Sequence, residues 1–112
     1  MKHSAWILLF LLAAGPQHAS AQQPGDGLND TQRHGRQLLA QSCGVCHLAP
    51  AAGARTYGPP LNKAAGNGDD DIMREYITNG TPRMPAFKFY LKDDEISAII
   101  SYVRTVPVPA AR

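Results

Sequence analysis

Three stretches of the chain carry apolar residues at helical spacing. In residues 30–41 (DTQRHGRQLLAQ), Gly35, Leu38 and Leu39, followed by Ser42, fall at i, i+3, i+4 and i+7 on one face. Asn29 or Asp30 can cap this helix by accepting from the free N–H groups of its first turn. Gly35 costs about 1 kcal/mol there relative to Ala, and close approach of a second helix would justify it. A second helix is expected over residues 69–79 (DDDIMREYITN), with Ile72, Tyr76 and Ile77 as its apolar face and Gly80 as a left-handed stop. A third is expected over residues 93–104 (DDEISAIISYVR), where Ile96, Ile99, Ile100 and Val103 repeat the period. Acids open the second and third helices and Arg104 closes the third, each complementing the helix dipole. The intervals differ in kind. Residues 43–68 are broken by Pro50, Gly53, Gly58, Pro59, Pro60, Gly66 and Gly68 and read mostly as loop, with a short helical turn near 61–65. Residues 81–90 contain Pro82 and Pro85 and cannot be regular helix. No strand pattern is evident, so the expected fold class is all-α.

A fourth apolar stretch is continuous rather than periodic. Residues 5–14 (AWILLFLLAA) follow a short positive start at Lys2 and precede Ala19-Ser20-Ala21. Ten apolar residues are too few for a bilayer span of about 20, and the small-x-small ending fits a cleaved export signal. The expected organisation is therefore a signal peptide over 1–21, a flexible leader over 22–29, one domain over 30–106 and a tail over 107–112. This reading puts the protein in the periplasm with no stable membrane insertion after cleavage; an uncleaved anchor is the alternative.

Composition narrows the classes. A chain of 112 residues has room for one small domain. Its net charge of +2 falls by one with the loss of Lys2 and is too small and dispersed for nucleic-acid binding. A thin core of this size often leans on a metal, disulfide or cofactor, and two cysteines are too few for a disulfide scaffold.

Both cysteines belong to one motif, Cys43-Gly44-Val45-Cys46-His47, which is C-x-x-C-H, the attachment signal of haem c. Two thiols add across the two haem vinyl groups, and the adjoining His47 becomes the proximal iron ligand. A thioredoxin-like pair would want a βαβ context and a zinc site would want a second ligand pair, whereas the exported chain offers only His34 besides His47. The motif implies one covalent haem c per chain. For the sixth iron position, Met84 is the candidate: Pro82 and Pro85 stiffen the loop that presents its thioether. Met73, His34 or an open position are the alternatives, Met73 reading otherwise as core filler. A ligating histidine usually donates its second ring N–H; Pro59, twelve residues after His47, could supply the accepting carbonyl or could be part of a plain turn.

Taken in order, these motifs resemble the small class I c-type cytochromes of bacterial periplasms over roughly Thr31 to Val106. The resemblance rests on Gly35 eight residues before Cys43, on the C-x-x-C-H motif, and on Gly58-Pro59 with Leu61. It continues through Tyr76-Ile77-x-x-Gly80, Met84-Pro85-Ala86-Phe87 and the closing segment from Asp94 to Arg104. It implies a cytochrome c fold, three main helices and loops wrapped around one haem, with the first and last helices crossing at Gly35 and Tyr102. Leu39 departs from the family, many members having an aromatic there, and no Trp follows Trp6. The haem propionates must then find other donors; Tyr57 and Arg55 are candidates, with Lys63 and Arg83. Val45, Leu48, Leu61, Ile77, Phe87, Leu91, Ile99 and Val103 are the expected pocket residues.

The function so implied is electron carriage, without catalysis, between a periplasmic dehydrogenase or other donor and an oxidase or reductase, by a protein that is a monomer when free. A dedicated cytochrome subunit of a dehydrogenase is the alternative. A haem sensor or peroxidase-like enzyme would need an open sixth position.

Overall fold

The computed structural model describes residues 25–110; the export signal expected over 1–21 and the last two residues lie outside them. Four helices follow in order: α1 (Asp30–Ser42), α2 (Gly44–His47), α3 (Asp70–Asn79) and α4 (Asp93–Val103). Among the described residues there is no strand, only an isolated bridge between Thr81 and Met84. The fold is all-α.

Local chemistry sets the helix ends. Asn29, not Asp30, caps α1: its side chain accepts from Gln32 N at 2.9 Å while Gln32 Oε1 accepts from Asn29 N at 3.0 Å, a reciprocal capping box. Asp69 caps α3 by accepting from the N–H groups of Asp71 and Ile72, so the helix proper starts one residue later than the period suggests. Gly80, at φ 75°, ends it. Glu95 reaches back to Lys92 N at 2.8 Å to open α4.

α1 and α4 cross face to face. Gly35 is buried at the crossing, and a side chain there would run into the Ala98 carbonyl. The close partner of Gly35 is thus the Ala98 backbone, one turn earlier on α4 than the expected Tyr102, which is only half-buried. Missing side-chain bulk is needed where backbone meets backbone, and that contact falls on Ala98. Leu39 of α1, Met73 and Ile77 of α3, and Ile96, Ile99, Ile100 and Val103 of α4 form the core together with Cys43 and Leu91. The inward face of α3 is Met73 and Ile77; Ile72 and Tyr76, expected on it, are half-buried and exposed. Arg104, at the end of α4, ties it to the loop before α3, donating to the Lys63 and Ala65 carbonyls, and to the start of α3, pairing with Asp70 at 2.7 Å.

The long interval between α1 and α3 is more ordered than its composition suggests. Cys43 links α1 directly to α2, Gly44–His47. The short helical turn expected near 61–65 lies at Ala65–Gly68, as a 3-10 turn in which Gly66 and Asn67 are left-handed (φ 63° and 58°).

Candidate functional site

Two walls face each other across an apolar cavity of about 650 Å³. The first wall is built by α1 running into α2. The Cys43 N–H bonds to the Leu39 carbonyl to close α1, and the Cys43 carbonyl then accepts from His47 N at 3.0 Å to open the next turn. One turn of helix therefore puts Cys43, Cys46 and His47 on the same cavity. Residues 56–59 fold over the imidazole. Gly58 N donates to the Cys46 carbonyl at 2.8 Å, and Thr56 Oγ1 donates to the Gly58 carbonyl at 2.7 Å. His47 Nδ1 lies 2.8 Å from the Pro59 carbonyl, so it donates there and Nε2 is left as the free ring nitrogen. A Cβ on Gly58 would stand 2.5 Å from His47 Cε1. Gly58 is thus part of the imidazole cradle, a role the sequence hides because a glycine before Pro59-Pro60 also reads as an ordinary turn residue.

The second wall is the segment after α3. At Gly80 a side chain would collide with the Met84 carbonyl and the Ala86 N–H, so the following loop folds back directly onto the glycine backbone. Thr81 and Met84 exchange both backbone hydrogen bonds, at 2.8 and 3.2 Å, around Pro82 and Arg83. Phe87 N and Lys88 N donate to the Ile77 and Thr78 carbonyls, which the end of α3 leaves without helical partners. A stiff turn thereby presents Met84 to the cavity.

Met73, Ile77, Phe87, Leu61 and Ile99 line the space between the walls. Of the other expected pocket residues, Val45 lines it while 93% exposed; Leu91 and Val103 are buried in the core behind it; Leu48 is exposed and outside it. Tyr57 and Arg83 stand on the rim, the guanidinium 5.2 Å from the ring centroid. Arg55 and Lys63, proposed from the sequence alongside them, are exposed and do not line the cavity. His34 is exposed on α1, away from it.

The thiols are not joined to each other. Burial, with the nearby Cys46 adding, pushes the Cys43 thiol up to about 11. At neutral pH it keeps its proton, which disfavours oxidation through a thiolate. Two thiols, an imidazole with one nitrogen held, and a thioether, all on an apolar space of this size, fit a large flat hydrophobic group whose metal takes soft and imidazole ligands. The residues present therefore fit haem.

An all-helical domain with this donor set defines the class of small c-type cytochromes. The chain belongs to the c-type cytochrome family described as "Cytochrome C oxidase, cbb3-type, subunit III", whose model matches residues 30–103. It is 33% identical over 104 residues to the 4-cresol dehydrogenase [hydroxylating] cytochrome c subunit of Pseudomonas putida, covering 91% of this chain and 78% of that protein. It is 34% identical over 79 residues to cytochrome c6 of Diacronema lutheri, covering 62% and 89%. Among solved structures it is similar to the c-type cytochrome SorU from Sinorhizobium meliloti, with TM-score 0.53, 35% identity, and 69% and 91% of the two chains covered. It is also similar to cytochrome c6 from the diatom Phaeodactylum tricornutum, with TM-score 0.51, 30% identity, and 64% and 88% covered. The chain is accordingly a haem electron-transfer protein, a carrier rather than an enzyme.

Proposed function

We propose that this chain is a periplasmic monohaem electron carrier with closed His47/Met84 ligation. The observation that carries the reading is the held imidazole: Nδ1 is occupied by Pro59, leaving Nε2 free on the cavity that Met84 also lines. Cys43 and Cys46 would bind the group covalently. Each thiol adds across one vinyl C=C: an S–C bond forms at one carbon, the thiol hydrogen ends on the other, and no oxidant is consumed. Haem c supplies a one-electron Fe(II)/Fe(III) couple. The residues of the chain fix its surroundings. Pro59 holds the orientation of the His47 ring, the Thr81–Met84 turn holds the thioether in place, and Ile77, Ile99 and Phe87 line the space between. Held this firmly, the His47 and Met84 side chains would stay in place in both oxidation states, so little would rearrange as an electron passes. Export by residues 1–21 would deliver the chain to the periplasm; N-terminal sequencing of the mature protein should begin at Gln22, and an uncleaved Met1 would overturn that step. Met84→Ala should abolish the Met-to-ferric-iron charge-transfer band and open the sixth position to carbon monoxide; a wild-type spectrum without that band would sink the assignment of Met84.

A second reading, a dedicated subunit of a dehydrogenase, is favoured by the Pseudomonas putida relative, whose likeness extends over 91% of this chain. It also draws on the exposed apolar residues Val45 and Tyr57 at the cavity and Phe89 and Tyr90 beyond it. The two readings separate on isolation from the native cell. A free carrier elutes as a monomer, and a subunit elutes with a stoichiometric dehydrogenase partner.

A further inference from the structure

The two walls of the cavity are tied together at the rim by one side-chain pair. Tyr57 precedes the Gly58-Pro59 segment that cradles His47, and Arg83 directly precedes Met84. The Arg83 guanidinium lies 5.2 Å from the Tyr57 ring centroid, within the range of about 6 Å at which a cation is attracted to an aromatic face. Among the described residues, no hydrogen bond joins residues 55–60 to residues 80–86, and Arg83 makes no ion pair. Tyr57 is 64% exposed, more than an aromatic ring needs to be if it were only filling space.

We propose that the Arg83–Tyr57 stack is a clasp that holds the Met84 turn against the His47 wall and so sets how readily Met84 gives up the sixth iron position to an outside ligand. The inference rests on the ligation reading above. Arg83 and Tyr57 are positioning residues: they act through Met84 and the rim, and neither touches iron. The backbone supports this division. The Thr81–Met84 turn is closed on itself and anchored at its far end on α3, so its edge nearest the cavity mouth has the clasp as its cross-tie. An outside ligand binds only the fraction of molecules in which Met84 has swung away, so its apparent affinity rises in proportion to that fraction. Loss of an exposed cation–π contact should raise the fraction, and the affinity, by about two- to fivefold.

The test is imidazole titration of the ferric, haem-loaded protein, followed by loss of the Met-to-iron charge-transfer band. Tyr57→Leu and Arg83→Gln should each tighten imidazole binding by about two- to fivefold. The double variant should be no tighter than either single one, because both remove the same contact. Tyr57→Phe should match wild type, since it keeps the ring and loses only the hydroxyl. Additive single effects, no effect, or Tyr57→Phe behaving like Tyr57→Leu would overturn the clasp; the last would point to a hydrogen bond from the Tyr57 hydroxyl, such as to a haem propionate. A wild type without the charge-transfer band, with imidazole affinity unmoved by Met84→Ala, would overturn the ligation reading and the clasp with it.

Discussion

Without its haem, the chain should lose its fold. The perturbation is Cys43→Ala with Cys46→Ala, expressed where no haem-attachment machinery is present. The structure gives the magnitude. The cavity holds about 650 Å³, and emptied apolar volume costs about 24 cal/mol per Å³, which gives about 16 kcal/mol. The cavity opens at its rim, so water recovers part of this, and the figure is a ceiling. A domain of this size has only about 4–13 kcal/mol of stability in total, so even half the ceiling consumes most of it. The core cannot compensate, because Met73, Ile77 and Ile99 are shared between core and cavity wall. Far-UV circular dichroism and thermal melting are the assays. The haem-free chain should show less helix than the loaded protein and no cooperative melt, and the loaded protein should show both. A haem-free chain with full helix content and a sharp transition would refute the reasoning: α1 and α4 would then be a self-sufficient core with an optional cavity.

Smaller changes probe the parts. Gly58→Ala puts a methyl 2.5 Å from His47 Cε1; the ring must move and lose its Pro59 acceptor, so the reduction potential should rise as the imidazole loses the hydrogen bond that strengthens it as a ligand to ferric iron, and an unchanged potential by voltammetry would contradict this. Gly35→Ala drives a side chain into the Ala98 carbonyl; overpacking of about 1–3 kcal/mol, at roughly 4–8 °C per kcal/mol, should lower Tm by at least about 4 °C, and an unmoved Tm would show that the helices can part without cost. The Leu28 N–H, and then Arg36 and Arg33, hold the Asp26 carboxyl below its ordinary value of 3.8. Its contribution to anchoring α1 is present above the unfolded value and is lost as pH falls through the folded one. Amide exchange in the first turn of α1 should therefore be slower in wild type than in Asp26→Asn at about pH 6, and the difference should shrink as pH falls below the ordinary carboxylate value; a difference that does not shrink in acid would exclude this origin.

Much of the scaffold was legible before the structure. A three- to four-turn helix repeats its apolar period often enough to be recognised, and α1, α3 and α4 begin and end within a residue or two of their expected bounds. Four residues hold barely one period, so α2 left no such trace, although it is what sets Cys43, Cys46 and His47 on one cavity. The turn expected near 61–65 falls at Ala65–Gly68 because the left-handed backbone at Gly66 answers a tertiary demand: a Cβ there would stand 2.7 Å from Met73 Cγ. Motif spacing brought the donors into view, since two thiols and an imidazole in C-x-x-C-H are adjacent in the chain. Side chains that meet across the cavity are not adjacent. The choice of Tyr57 and Arg83 over Arg55 and Lys63 at the rim, and of Ala98 over Tyr102 beside Gly35, depends on how loops and helix faces are turned, which period alone does not fix.

The central claim is a closed His47/Met84 haem site, and the visible spectrum of the exported protein tests it most directly. It should be recorded oxidised and reduced, with and without carbon monoxide. A covalent haem spectrum with a Met-to-ferric-iron charge-transfer band, unchanged by carbon monoxide, is the result this account expects. Covalent haem that binds carbon monoxide readily would contradict it and put ligand sensing or catalysis in place of electron carriage.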